Sequence, residues 1–128
     1  MSPIEKKEPD TIIYSIISAC FEVSNVLSGG FMEKVYERAL FEELSIRGIP
    51  VQTQASLQVE YKGKSVGQYF CDMLVYGKLV VELTCVGCIA DEHIAQTINY
   101  LKATGLHLAI IVNFQNPKLE WRKVYRDY

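Results

Sequence analysis

Apolar residues in the first part of the chain recur at helical spacing. Ile12, Ile13, Ile16, Ile17, Cys20, Phe21, Val23 and Leu27 form a broad stripe, which predicts an amphipathic helix. Asp10 can cap that helix at Thr11, and Ser28-Gly29-Gly30 ends it. A second helix is expected from about residue 31 to 47, with Val35, Ala39, Leu40, Leu44 and Ile46 largely inward and Gly48 as its stop. The period then changes. Residues 51–54, continuing irregularly through 57–61, then 66–75, then 79–84, read as three strands. Lys62-Gly63-Lys64 and Tyr76-Gly77-Lys78 supply the turns between them. Asp91 can cap a third helix through Thr104, closed by Gly105. Residues 107–114 are nearly all apolar, as in a strand buried on both faces. After Asn116-Pro117, residues 119–125 alternate as an edge strand. The order is α-α-β-β-β-α-β-β, an α+β or mixed α/β domain whose central sheet carries helices.

The length of 128 residues suits one domain, expected over residues 10–128, with a polar, frayed segment over 1–9. A hydrophobic content of 49% excludes a disordered chain. No apolar run approaches the ~20 residues of a membrane span, and the first residues carry no signal-peptide pattern. The expected location is therefore the cytoplasm. A net charge of -2 argues against non-specific coating of nucleic acid. The one basic cluster, Lys118, Arg122, Lys123 and Arg126, reads first as a solvated strand edge. Cys85-Val86-Gly87-Cys88 with His93 has zinc-ligand spacing, but Cys20, Cys71 and His107 are isolated, so the set lacks a paired second motif. Small buried hydrophobes are the plainer reading of these cysteines.

The chemistry concentrates at the turn Tyr76-Gly77-Lys78. A three-residue loop pairs Val75 with Leu79 and, three residues along, sets Asp72 opposite Glu82. Opposed residues share a face about 5 Å apart. Two carboxylates that close repel, so they need a proton, a cation or water between them, and a hard divalent cation is one natural occupant. A solvated acidic pair is the other reading. Alternation sets Val80, Glu82 and Thr84 on one face and Leu79, Val81 and Leu83 on the other. Glu33, Tyr36, Glu37 and Leu40 share a stripe at the start of the second helix, where Glu33 also suits the positive end of the helix dipole. His93, Gln96 and Tyr100 stack on one face of the third helix, which also reads as a solvent side.

Gly30-x-x-Glu33-x-x-Tyr36 resembles the name-giving signature of the GxxExxY proteins, a bacterial and archaeal group in the PD-(D/E)XK nuclease superfamily. The likeness runs from Asp10 to Val124. It includes Tyr36-Glu37-x-Ala39-Leu40, the Asp72-x-Leu74-Val75 strand, Val80-Val81-Glu82-Leu83, and Gln96-x-x-Asn99-Tyr100-Leu101 through Gly105. The resemblance implies a restriction-endonuclease-like core. It also implies Mg²⁺ (or Mn²⁺) held by Asp72, Glu82 and the Leu83 main-chain carbonyl, with Glu33 or Glu37 assisting. Gln96 and Tyr100 look like the Gln-x-x-x-Tyr element of RecB-type nucleases and would orient the nucleic-acid backbone or the ligands. The implied reaction is metal-assisted phosphodiester hydrolysis.

One position departs from that pattern. The superfamily motif is Glu-x-Lys, and this chain has Glu82-Leu83-Thr84. A lysine there positions the attacking water and stabilises developing negative charge; threonine offers a neutral hydroxyl. Lys34 is expected to point away from the Glu33 stripe, Lys102 to face elsewhere on its helix, and Lys62, Lys64 and Lys78 to lie in turns. Three readings follow: a Mg²⁺-dependent nuclease with a degraded motif, a non-catalytic module of nuclease fold that binds nucleic acid or protein, and a small metal or structural module. A homodimer is expected by analogy with small nuclease domains that cut both strands.

Overall fold

A computed structural model describes residues 9–126; of the segment 1–9 expected to be frayed, residues 1–8 lie outside it. The elements are α1 (Pro9–Leu27), α2 (Glu33–Ile46), β1 (Val51–Tyr61), β2 (Lys64–Val75), β3 (Leu79–Thr84), α3 (Asp91–Thr104), β4 (Leu108–Asn113) and β5 (Glu120–Tyr125), in the expected order. They form one five-stranded sheet in the order β1-β2-β3-β4-β5. All neighbours are antiparallel except β3 and β4, whose parallel pairing requires the crossover through α3.

The sheet divides two apolar clusters. On one face α1 and α2 bury Ile12, Ile16, Tyr36, Leu40 and Leu44 against Met73, Val75, Val81 and Val112. On the other, Leu101 of α3 packs with Cys71, Leu74, Val80 and Ile111. Every residue of β4 is buried, as its continuous apolar run demands. Residues 10–27 of α1 are long and apolar enough, by length and composition, to cross a membrane. Ile12, Ile13, Ile16, Ile17, Cys20 and Val23 are nonetheless buried in the first cluster, and Phe21, expected on the same stripe, is exposed.

The phase of α2 differs from expectation. Val35 and Ile46 are exposed, and Tyr36 and Glu37 are buried with Leu40 and Leu44. Tyr36, Leu40 and Leu44 follow the i, i+4, i+8 row that faces the core. Tyr36 donates from its hydroxyl to the Ser28 carbonyl (2.8 Å), accepts from Phe31 N, and stacks on Phe114 with centroids 4.8 Å apart. With Gly30 at φ +98°, a region open to glycine at little cost, the first and last positions of Gly-x-x-Glu-x-x-Tyr shape the α1–α2 loop.

At the carboxyl end of β4, Asn113 is fully buried. Its amide oxygen accepts from Val86 N and Gln115 N, and its nitrogen donates to the Val86 carbonyl and the Glu120 carboxylate. All its bonding capacity is used, and the segment after Thr84 is thereby tied to β5. The basic cluster beside β5 is at a sheet edge, as expected. Lys123 reaches Asp10 at 3.5 Å and Arg126 meets the His107 ring.

Candidate active site

Tyr76 and Gly77 adopt left-handed φ of +54° and +70°, and the β2–β3 ladder pairs Val75 with Leu79, Leu74 with Val80 and Met73 with Val81. This is the expected register. The next rung would oppose Asp72 and Glu82, but the ladder stops there. The Asp72 carboxylate takes the place of a main-chain acceptor, receiving the Leu83 N–H at 2.8 Å.

On the other side of Asp72, β1 holds Gln54 at φ +48° between the pairs Thr53–Met73 and Ala55–Cys71. A non-glycine residue in this region costs on the order of 1 kcal/mol or more. Side-chain alternation reverses across the same place. Met73 and Val75 pack towards α1 and α2, whereas Cys71 and Ala55 pack towards α3. The strands therefore kink at Gln54 and Asp72, and residues before the kink swap faces.

The kink brings in residues that strict alternation sends elsewhere. Tyr69 would lie opposite to the Glu82 face; instead its hydroxyl donates to Glu82 Oε1. The Tyr69 ring stacks on Tyr100, centroids 3.8 Å apart, and Tyr100 Oη accepts from Gln96 Nε2 at 2.7 Å. Glu82, Tyr69, Tyr100 and Gln96 thus form one connected row from sheet to helix. Gln54 was the second residue not anticipated. Its Nε2 donates to Glu37 Oε1 (2.8 Å) and approaches Asp72 Oδ1 (3.5 Å). Lys34, expected to point away, pairs with Glu37 at 2.9 Å. The contact from α2 to Asp72 accordingly runs through Glu37 and Gln54.

The electrostatics reflect crowded carboxylates. Burial pushes Glu82 up to about 8; the Tyr69 hydrogen bond opposes the rise and the Asp72 charge adds to it. Glu33 is also raised, first by partial desolvation and then by the charges of Asp72 and Glu37. Among the described residues no three His, Cys, Asp or Glu side chains converge as a metal cage. The zinc reading of Cys85, Cys88 and His93 therefore has no geometry behind it, and Glu33 neighbours Asp72 through charge, with no shared cage. Cys20 and Cys71 are buried and pushed up to about 12, by burial first.

A cavity of about 180 Å³ opens between β3 and α3, lined among others by Tyr69, Glu82, Thr84, His93, Gln96 and Tyr100. The polar row of α3 thus faces the site and not only solvent. Among the described residues, no Lys or Arg lines this cavity. Lys62 and Lys102 line a separate one of about 460 Å³, beside the β1–β2 turn.

A sequence model described as the PD-(D/E)XK nuclease superfamily matches residues 10–124. Among solved structures, the fold is similar to SSO0001, with a TM-score of 0.55 and 16% identity over 74% of this chain. The chain spans 50% of that protein's length. It is also similar to an alkaline exonuclease, LHK-Exo from Laribacter hongkongensis. The TM-score there is 0.54, at 14% identity, covering 97% of this chain and 73% of the other. No curated protein sequence matches. At such identities the structural likenesses show a shared fold.

Proposed function

Because this chain belongs to the PD-(D/E)XK nuclease superfamily and has its restriction-endonuclease-like fold, we propose that it hydrolyses phosphodiester bonds of nucleic acid at Asp72 and Glu82 with Mg²⁺ or Mn²⁺. Within the superfamily we assign it to the GxxExxY group. The observation that carries this reading is the site itself: two carboxylates from the two strands of one hairpin, Asp72 bonded to the Leu83 N–H next to Glu82, and Glu82 pushed up to about 8 by burial and by the Asp72 charge.

The donors fit the ion. Asp72, Glu82 and the Leu83 carbonyl offer oxygen alone, and Mg²⁺ is commonly held by one or two carboxylates with water and substrate phosphate completing its shell. When bound, a divalent cation lowers the pKa of an attacking water and offsets charge on the scissile phosphate. Glu82 gives up its proton to take part, and the Tyr69 hydroxyl then holds the carboxylate in one orientation. The Leu83 N–H fixes Asp72 in the same way. Gln96 and Tyr100, at the cavity wall, orient the nucleic-acid backbone. Thr84 presents a hydroxyl where a lysine would place a charge.

The test is cleavage of single- and double-stranded DNA and RNA with Mg²⁺ or Mn²⁺, against EDTA, alongside Asp72→Ala and Glu82→Ala. Metal-dependent cutting abolished by either substitution is the expected result. Thr84 and the absence, among the described residues, of a basic side chain from the cavity wall favour a second reading, a nucleic-acid- or protein-binding module without catalysis. Metal binding with no cleavage of any of these substrates would select it. We further propose the cytoplasm as its location.

A further inference from the structure

The lysine-free cavity needs a hydrogen-bond donor to a substrate phosphate, and one side chain on its wall is built to be one. His93 lines the cavity together with Glu82 and Thr84. Its Nδ1 accepts the Ala90 N–H at 3.0 Å, closing a cap on the first turn of α3. An imidazole nitrogen that accepts carries no proton, so the neutral ring bears its proton on Nε2. The cap therefore fixes both the tautomer and the ring, and leaves Nε2–H as the ring's polar group for the cavity.

We propose that His93 Nε2–H binds a non-bridging oxygen of a substrate phosphodiester beside Glu82, filling with a ring N–H donor the position that Thr84 leaves without a charge. This rests on the nucleic-acid reading of the site. It accounts for a cavity wall without Lys or Arg, and it assigns the third member of the α3 row, after Gln96 and Tyr100, a contact of its own.

The cap and the donor can be separated experimentally. A glutamine at the third position of a helix can reach back to the N-cap N–H, so His93→Gln preserves the cap and exchanges the rigid ring donor for a weaker amide N–H on a flexible side chain. The full chain, Ca²⁺-loaded to suppress cutting, is titrated with a mixed-sequence single-stranded DNA oligonucleotide. The His93 ring nitrogens are followed by NMR. The expected result is an Nε2–H tautomer whose Nε2 resonance moves on DNA binding, and affinity at least roughly tenfold weaker in His93→Gln with thermal stability retained. Thr84→Lys placed in the His93→Gln background should restore the affinity. Unaltered DNA affinity in a folded His93→Gln, or an Nε2 resonance that DNA does not move, overturns the role of His93 and leaves the nuclease reading standing. Failure of the wild-type chain to bind this DNA overturns the role of His93, and failure to bind double-stranded DNA and RNA as well overturns the nucleic-acid reading with it.

Discussion

Glu82 holds its proton to a pH of about 8, and metal must displace that proton. Affinity for Mg²⁺ or Mn²⁺ should consequently rise by roughly tenfold per pH unit as pH approaches 8 and level off above it. Calorimetric titration across pH 6 to 9 would show this, and a flat profile would contradict it. The same group sets a stability trend. A carboxyl whose folded pKa lies above its ordinary 4.5 binds more protons folded than unfolded between the two values. Stability contributed by that proton is full below about 4.5 and is lost as pH rises through about 8. Glu82→Gln should therefore raise the melting temperature at pH 8 and above, and leave it nearly unchanged at pH 4. Repulsion alone predicts the same gain for Asp72→Ala. Asp72, however, accepts the Leu83 N–H, so its removal strands a donor and should cost about 1–2 kcal/mol. Opposite shifts in thermal melts of the two variants check the distinction.

The elements differ in how much of them the sequence shows. All eight were legible, because each long period is bounded by a turn signal, and the hairpin register followed from Tyr76-Gly77-Lys78 alone. Tyr69 and Gln54 were not. Both depend on a reversal of alternation at a left-handed glutamine, and no residue in β1 announces one as a glycine would. Val35 and Ile46 lie outside the inward set of α2, since hydrophobicity there does not track the helical phase that buries Tyr36 and Glu37. Tyr36 in turn predicts a separable effect. Tyr36→Phe leaves the Ser28 carbonyl and Phe31 N–H without their partner and should cost about 1 kcal/mol, a melting shift of a few degrees. Metal affinity should stay unchanged, because the Tyr36 hydroxyl bonds only the α1–α2 loop and its ring stacks on Phe114. Loss of both together would tie the loop directly to the site.

At the scale of the molecule, apolar side chains remain uncovered on the outside of α1 and α2. Tyr14, Val26 and Met32 are each at least 70% exposed, and Phe21, Phe31 and Ile46 are exposed as well. Surface of that kind on a small domain marks a contact, and we propose that it is where two copies meet as a homodimer. Sedimentation at high micromolar concentration should show a species of twice 14.5 kDa; a monomer alone would count against it. The kink at Gln54 and Asp72 bears on the chain's history as a target of selection. A left-handed glutamine and a carboxyl buried near another are each less stable than simple replacements. A library sorted only for heat resistance should therefore accept changes first at Glu82 and Gln54, since natural sequences keep such costs where activity requires them. Positions that become more robust when altered, and inert in cleavage assays, would trace the outline of the site without any bound ligand.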